Sequence, residues 1–232
     1  MITLTAAQVA AATGGHLAGI APTQAEQITC NFATTDSREV KPGTLFLAKP
    51  GAVTDGHLFV PAAVEAGAAF SLVEREISDA AGNLFPQIIV DDVVLAMGRL
   101  AKFCLSTMRE NGDLTVVGIT GSAGKTTTKD LLATMFERVG DTVAPVGSYN
   151  GEVGVPLTIF RANEETRYLV IEMGADHVGN IEYLANIVRP DHGVILKVGT
   201  AHAGEFGGVD NIEKTKGELA EGSTPVSYTH LR

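Results

Sequence analysis

Basic residues are scarce in this sequence: 17 Lys and Arg stand against 27 Asp and Glu, a formal net charge of −10. That balance argues against a nucleic-acid surface, because phosphate backbones are held by clustered Lys and Arg. Any anion bound here must be held by local groups. Cysteine is nearly absent, with only Cys30 and Cys104. The two form no metal or redox spacing, and each is expected to be a small core residue in a reducing compartment. No stretch reaches the roughly 18 apolar residues needed to span a membrane. Residues Met1 to Gln8 lack a basic n-region and a long apolar run, so no signal peptide is expected. Internal repeats and low-complexity segments are also missing. The expectation is a soluble, cytoplasmic protein. With 232 residues, 45% of them hydrophobic, the chain can bury a real core in one large or two modest domains.

The most informative stretch runs from Val116 to Asp130. An apolar strand (Val116, Val117, Ile119) leads into a Gly-rich turn (Gly121, Ser122, Ala123, Gly124), which delivers Lys125 and Thr126 to the start of a helix. This is how a protein holds a nucleotide triphosphate. Glycines let backbone N–H groups curl round the phosphates, and a helix N-terminus favours negative charge. The Lys reaches the β/γ oxygens and the Thr hydroxyl ligates Mg²⁺. The strict pattern G-x-x-x-x-G-K-[ST] fails, since Ile119 stands where its first Gly belongs. The reading therefore rests on Gly124-Lys125-Thr126 and on context: a strand before, and after it a helix with Leu131, Leu132, Met135, Phe136 and Val139 expected on one face.

Residues 1 to about 110 read as one unit. Thr5 caps a short helix through Ala12, ended by Gly14 and Gly15. Strands are expected around Ile28–Thr35, Thr44–Ala48, Ala69–Val73 and Gln87–Val90, with a helix from His57 to Ala66. Asp92 caps a helix striped by Val93, Met97, Leu100, Cys104 and Met108. Asn111-Gly112-Asp113 marks the boundary. Residues 111–221 then alternate strand and helix, with strands at Leu114–Ile119, Thr142–Ala144, Tyr168–Glu172 and Gly193–Val198. Tyr168–Ile171 and Gly193–Leu196 are apolar throughout, as parallel strands covered on both faces are. The expected fold class is α/β: an N-terminal α/β domain followed by an open, mostly parallel sheet of the P-loop type. Residues 222–232 have no periodicity and read as a tail after a truncation.

Other residues offer chemistry. Glu172 ends a strand, where α/β sheets place their ligands, and a carboxylate beside a phosphate loop suits Mg²⁺. His202 follows the next strand and points toward the same crevice. By spacing alone Lys216 is an exposed helix lysine, since Glu213 and Glu218 indicate a solvated face. Asn150 and Thr158 bracket a polar turn that is either a plain βα connection or a substrate contact. Ser37 and Arg38 form either a phosphate-binding turn or, with Asp36, a surface ion pair.

In this order, Thr120–Lys129, Asn150 with Gly154–Thr158, Glu172–Ala175 and His202 with Lys216–Glu218 resemble the Mur ligases, the ATP-dependent amide ligases of peptidoglycan synthesis. Thr35–Arg38, Lys41–Ala48 and Asp55–His57 resemble the uridine-binding domain found in part of that family. The Gly-Ser-x-Gly-Lys loop, Glu172-Met173-Gly174 and Gly154–Thr158 resemble most the branch that adds D-Ala-D-Ala to a UDP-MurNAc-tripeptide, ahead of the branch that adds a diamino acid. The resemblance implies that Gly121 to Thr127 bind the ATP phosphates and that Lys125 stabilises the transferring phosphoryl group. It implies two Mg²⁺ ions, one at Thr126 and Glu172, the other at His202 and a carbamylated Lys216. Ser37 and Arg38 would lie near the UDP, Asn150 and Thr158 near the sugar-peptide. The partners implied are UDP-MurNAc-peptide and D-Ala-D-Ala, acting on a monomer. The family usually has Asn where Gly151 stands, and it is about twice this length with three domains. The expectation is therefore little ligase activity from the chain as it stands, with a nucleotide- or UDP-sugar-binding fragment as the alternative.

Overall fold

The computed structural model describes residues 1–51, 53–197 and 209–222. The chain divides into two compact units, Met1–Cys104 and Leu105–Arg232.

The first unit opens with β1 (Leu4–Thr5) and α1 (Ala6–Thr13). Thr5 caps α1 reciprocally with Gln8, and Gly14 ends it at φ 73°, a conformation that favours glycine. Then follow β2 (His16–Ala18), β3 (Thr29–Cys30), β4 (Phe32–Thr34) and β5 (Thr44–Leu47). The helix expected over His57–Ala66 is split into a 3₁₀ turn at Gly56–Phe59 and α2 at Val60–Glu65. The Asp55 carboxylate accepts from His57 N–H and sets the tight first turn. β6 (Ala68–Val73), β7 (Gln87–Ile89) and the start of α3 (Val93–Asn111) complete the unit. Among the described residues the order of the main sheet is β2-β7-β6-β5-β4, parallel except for β2 against β7. Phe46, Val60, Ala63, Val73 and Ile89 form part of its core. All five residues of the α3 stripe are buried.

The second unit contains β8 (Thr115–Thr120), α4 (Lys125–Phe136), β9 (Thr142–Val143), α5 (Gly154–Ile159), β10 (Tyr168–Glu172), α6 (Asn180–Val188), β11 (His192–Ile195) and α7 (Val209–Glu221). Among the described residues the sheet order is β11-β8-β10-β9, parallel throughout. The chain leaves β8 for β9 on one side and leaves β10 for β11 on the other. The order thus reverses between β8 and β10, where open α/β sheets bind ligands at the strand C-termini.

One expectation about α4 needs correcting. Leu132 and Phe136 pack on the sheet with Val117, Ile119 and Val170, and Phe136 stacks on Tyr168 at 4.7 Å. Leu131, Met135 and Val139 are more than 60% exposed. Residues one apart on a helix are turned by about 100°, so the apolar arc is wider than the strip that the sheet covers.

Candidate functional site

The loop between β8 and α4 is built on two glycines with φ in the positive region, Gly121 at 152° and Gly124 at 86°. A Cβ on Gly121 would stand 2.7 Å from Leu196 Cβ, so the loop runs against the chain following β11. Gly124 is the N-cap of α4, and its carbonyl accepts from Thr128 N–H. Lys125 folds back over the loop, its Nζ donating to Gly121 O at 2.9 Å. Ser122 N–H donates to Lys197 O. The helix start, the curled backbone and a lysine lying along it form a cradle for an anion.

Glu172, the last residue of β10, is 1% exposed. Its Oε2 accepts from Thr126 Oγ1 at 3.0 Å and its Oε1 from Asn150 Nδ2 at 2.8 Å. Both partners are neutral, although a buried carboxylate is costly without a compensating charge. Thr126 and Glu172 are hard oxygen donors, and a Mg²⁺ bound through one or two protein ligands suits them. Among the described residues no group of three His, Cys, Asp or Glu side chains could hold a metal ion. His202 lies outside the described residues.

A third candidate residue is Lys216 on α7. Spacing placed it on a solvated face, but it is only 4% exposed, and Glu218 is 7% exposed. Burial pushes the Lys216 amine below its ordinary value, and the Lys125 charge pushes it further in the same direction, while Glu218 works against both. An amine biased toward its neutral form is a better nucleophile than an ordinary surface lysine.

Residues 119–229 match the Mur ligase middle domain, and residues 29–103 match the Mur ligase family catalytic domain. The chain belongs to the Mur ligase family. It is 44% identical to the UDP-N-acetylmuramoyl-tripeptide–D-alanyl-D-alanine ligase of Mycobacterium tuberculosis (strain ATCC 25618 / H37Rv), over 95% of this chain and 46% of that protein. It superposes on MurF from Acinetobacter baumannii with a TM-score of 0.84 at 37% identity, over 96% of this chain and 47% of that one. MurF from Thermotoga maritima, solved in complex with ADP, gives 0.72 at 35% identity, over 83% and 43%. This Mur ligase chain therefore spans less than half the length of the relatives it matches.

The remaining candidate residues of this Mur ligase chain are placed less uniformly. Asn150 belongs to the site through Glu172. A Cβ on Gly174 would meet Asn150 Oδ1 at 2.7 Å, so the glycine of Glu172-Met173-Gly174 makes room for that amide. Thr158 is 1% exposed and donates to Gly154 O within its own helix, which gives the hydroxyl a structural partner. In the first unit, Ser37 to Glu39 form a 3₁₀ turn capped by Asp36. The Arg38 guanidinium grips the Asp36 carboxylate through Nε and Nη2, the ion pair that was one of the two readings of this turn. It holds the Asp36 carboxyl down to about 2. Cys30 and Cys104 are buried and free, and burial pushes both thiols up to about 12.

Two side chains that spacing did not single out shape the surroundings. Glu218 Oε1 accepts from Gly179 N–H and Oε2 from Glu182 N–H, so α7 supplies the carboxylate that caps α6. Asp176, at the turn before α6, contacts His177 at the surface. Lys129 is 4% exposed. Charged residues at helical spacing read as solvated from sequence, and only the tertiary partners reveal otherwise.

Proposed function

We propose that the protein is an ATP-dependent ligase that joins D-Ala-D-Ala to a UDP-MurNAc-tripeptide through an acyl phosphate. The observation that carries this reading is the meeting of Thr126, Glu172 and Asn150 at the C-terminal ends of β8 and β10, beside the Lys125 loop. The names of the relatives support the choice of D-Ala-D-Ala over a diamino acid.

The substrate's terminal carboxylate attacks the γ-phosphorus, and the bond to the bridging oxygen of ADP breaks. The amine of D-Ala-D-Ala then attacks the acyl carbon, loses a proton, and phosphate leaves as the amide forms. Gly121 to Thr127 cradle the phosphates, and Lys125 leaves Gly121 O to neutralise the transferring group. Positioned charge of this kind is the main protein contribution to phosphoryl transfer. Thr126 and Glu172 would hold one Mg²⁺, which would neutralise phosphate charge. Asn150 keeps Glu172 in place. Lys216, as a carbamate formed from its neutral amine and CO₂ with loss of a proton, and His202 would serve a second Mg²⁺, and the depressed Lys216 amine supports that conversion. The first unit binds the UDP moiety around Ser37 and Arg38. On this reading the reaction belongs to the cytoplasm. No helix among the described residues is long and apolar enough to cross a membrane.

The test pairs two measurements. Calorimetry on the 232-residue chain should show separate binding of Mg-ATP and of UDP-MurNAc-tripeptide, with little turnover. In the complete enzyme Lys125→Ala should abolish ADP release, with D-Ala-D-Ala and not diaminopimelate or lysine as the amine that wild type accepts. Normal ADP release in the variant would remove Lys125 from the chemistry, and a preference for the diamino acid would reassign the branch. Binding of both ligands by a complete enzyme that forms no amide would leave a binding module.

A further inference from the structure

Lys129 lies one helical turn beyond Lys125, on the same side of α4. It is buried, yet its ammonium is fully satisfied. Nζ donates to Pro145 O at 3.1 Å and to Gly147 O at 3.4 Å, and pairs with Asp130 Oδ1 at 2.6 Å. Three acceptors meet the three donors that an ammonium carries. Two of them belong to the segment between β9 and α5, whose middle faces solvent. Val146 and Tyr149 are more than half exposed, and Gly147 and Ser148 also face solvent. Pro145 is buried at one end, and Tyr149 passes close over Gly154 at the other, where a Cβ would stand 2.7 Å from Tyr149 Cα. This segment delivers Asn150, whose amide holds one oxygen of Glu172 while Thr126 holds the other. Asn150 O also accepts from Gly174 N–H at 2.8 Å.

We propose that Lys129 is a positioning residue: it ties the phosphate-loop helix to the 145–150 segment and so sets Asn150 against Glu172. Both oxygens of Glu172 are then oriented from one helix, directly by Thr126 and through Lys129 and Asn150. A cation between Thr126 and Glu172 meets a carboxylate that is held in one rotamer. The link to Mg²⁺ rests on the function proposed above, whereas the tie itself does not.

The experiment has one arm for each. Amide hydrogen exchange on the 232-residue chain reads the tie at Gly174 N–H, with Met173 N–H, bonded to Ile119 O, as the control. Lys129→Met should speed exchange at Gly174 about tenfold and leave Met173 unchanged, as loss of charge-assisted bonds to one segment does. Lys129→Arg, which keeps charge and donors, should retain most of the protection, and it decides alone if the Met variant does not fold. Unchanged exchange at Gly174, or an equal rise at both amides, would overturn the tie, as would an arginine variant that behaves like methionine. In the second arm, Lys129→Met and Asn150→Ala should each weaken Mg²⁺-dependent ATP binding by a similar factor, roughly fivefold to tenfold, and the double variant should fall no further. Additive losses would overturn action through Asn150. Absence of Mg-ATP binding in wild type would instead count against the proposed function, and the Gly174 result would still judge the tie.

Discussion

Asp36 and Arg38 sit two residues apart at the start of the 3₁₀ turn Ser37–Glu39, with the Arg38 side chain 87% exposed. The guanidinium contributes first by its side-chain hydrogen bonds, and the Arg38 backbone N–H adds to the effect. The Asp36 carboxyl is thereby lowered from 3.8 to about 2. A depressed carboxyl stabilises the fold above its unfolded value and loses that contribution as pH falls through the folded one. The window is therefore about pH 4 down to about pH 2, and solvent screening keeps the contribution small. Carboxyl NMR should place the Asp36 midpoint near 2, and Arg38→Ala should return it toward 3.8. An unmoved midpoint in the variant would leave the backbone cap as the sole cause. If UDP phosphates compete for Arg38, the substrate should move the Asp36 midpoint upward in the same spectra.

At the scale of elements, the second unit shows what can be read from a sequence. The strand Tyr168–Glu172 is legible because an unbroken apolar run leaves few alternatives to a parallel strand covered on both faces. The loop at Gly121 to Thr126 is legible because its glycines and its lysine are consecutive in the chain. Periodicity gives the direction of the apolar face of α4, but not how much of that face the sheet covers. Lys216 and Glu218 are misread, and Lys129 passed over, for a shared reason. A charged side chain prefers water unless a partner meets it inside, and those partners arrive from Pro145, Gly147, Gly179 and Glu182. Glu218 is the clearest case, since a helix is normally capped by the side chain of its own N-cap residue, and the N-cap of α6 is Gly179, which has no side chain. Glu218→Ala leaves two first-turn N–H groups without that acceptor and should cost about 2 kcal/mol. Glu218→Gln, which retains one acceptor, should cost about half as much. Urea unfolding followed by circular dichroism measures both, and equal midpoints for wild type and the alanine variant would remove the capping role.

For the whole molecule, the difficulty is that a chain with net charge −10 is proposed to bind two anionic ligands. The sign of the charge works against long-range attraction, so the phosphates of each ligand must be held by groups close at hand. Lys125 and its loop lie in the unit Leu105–Arg232, and Ser37 and Arg38 lie in the unit Met1–Cys104. Each unit also has its own sheet and its own core. A ligand stabilises the cooperative unit that holds its site, by about 2.7 kcal/mol at a hundredfold excess over Kd. That corresponds to roughly a hundredfold slower exchange for amides that open with that unit. Peptide-resolved hydrogen exchange with saturating Mg-ATP should therefore slow β8, α4 and β10 and leave the sheet of the first unit unchanged. UDP-MurNAc-tripeptide should protect the segment around Asp36 to Glu39 in the first unit. Equal protection of both sheets by Mg-ATP would mean that the phosphate loop is not a local site, and the assignment of one ligand to each unit would fall with it.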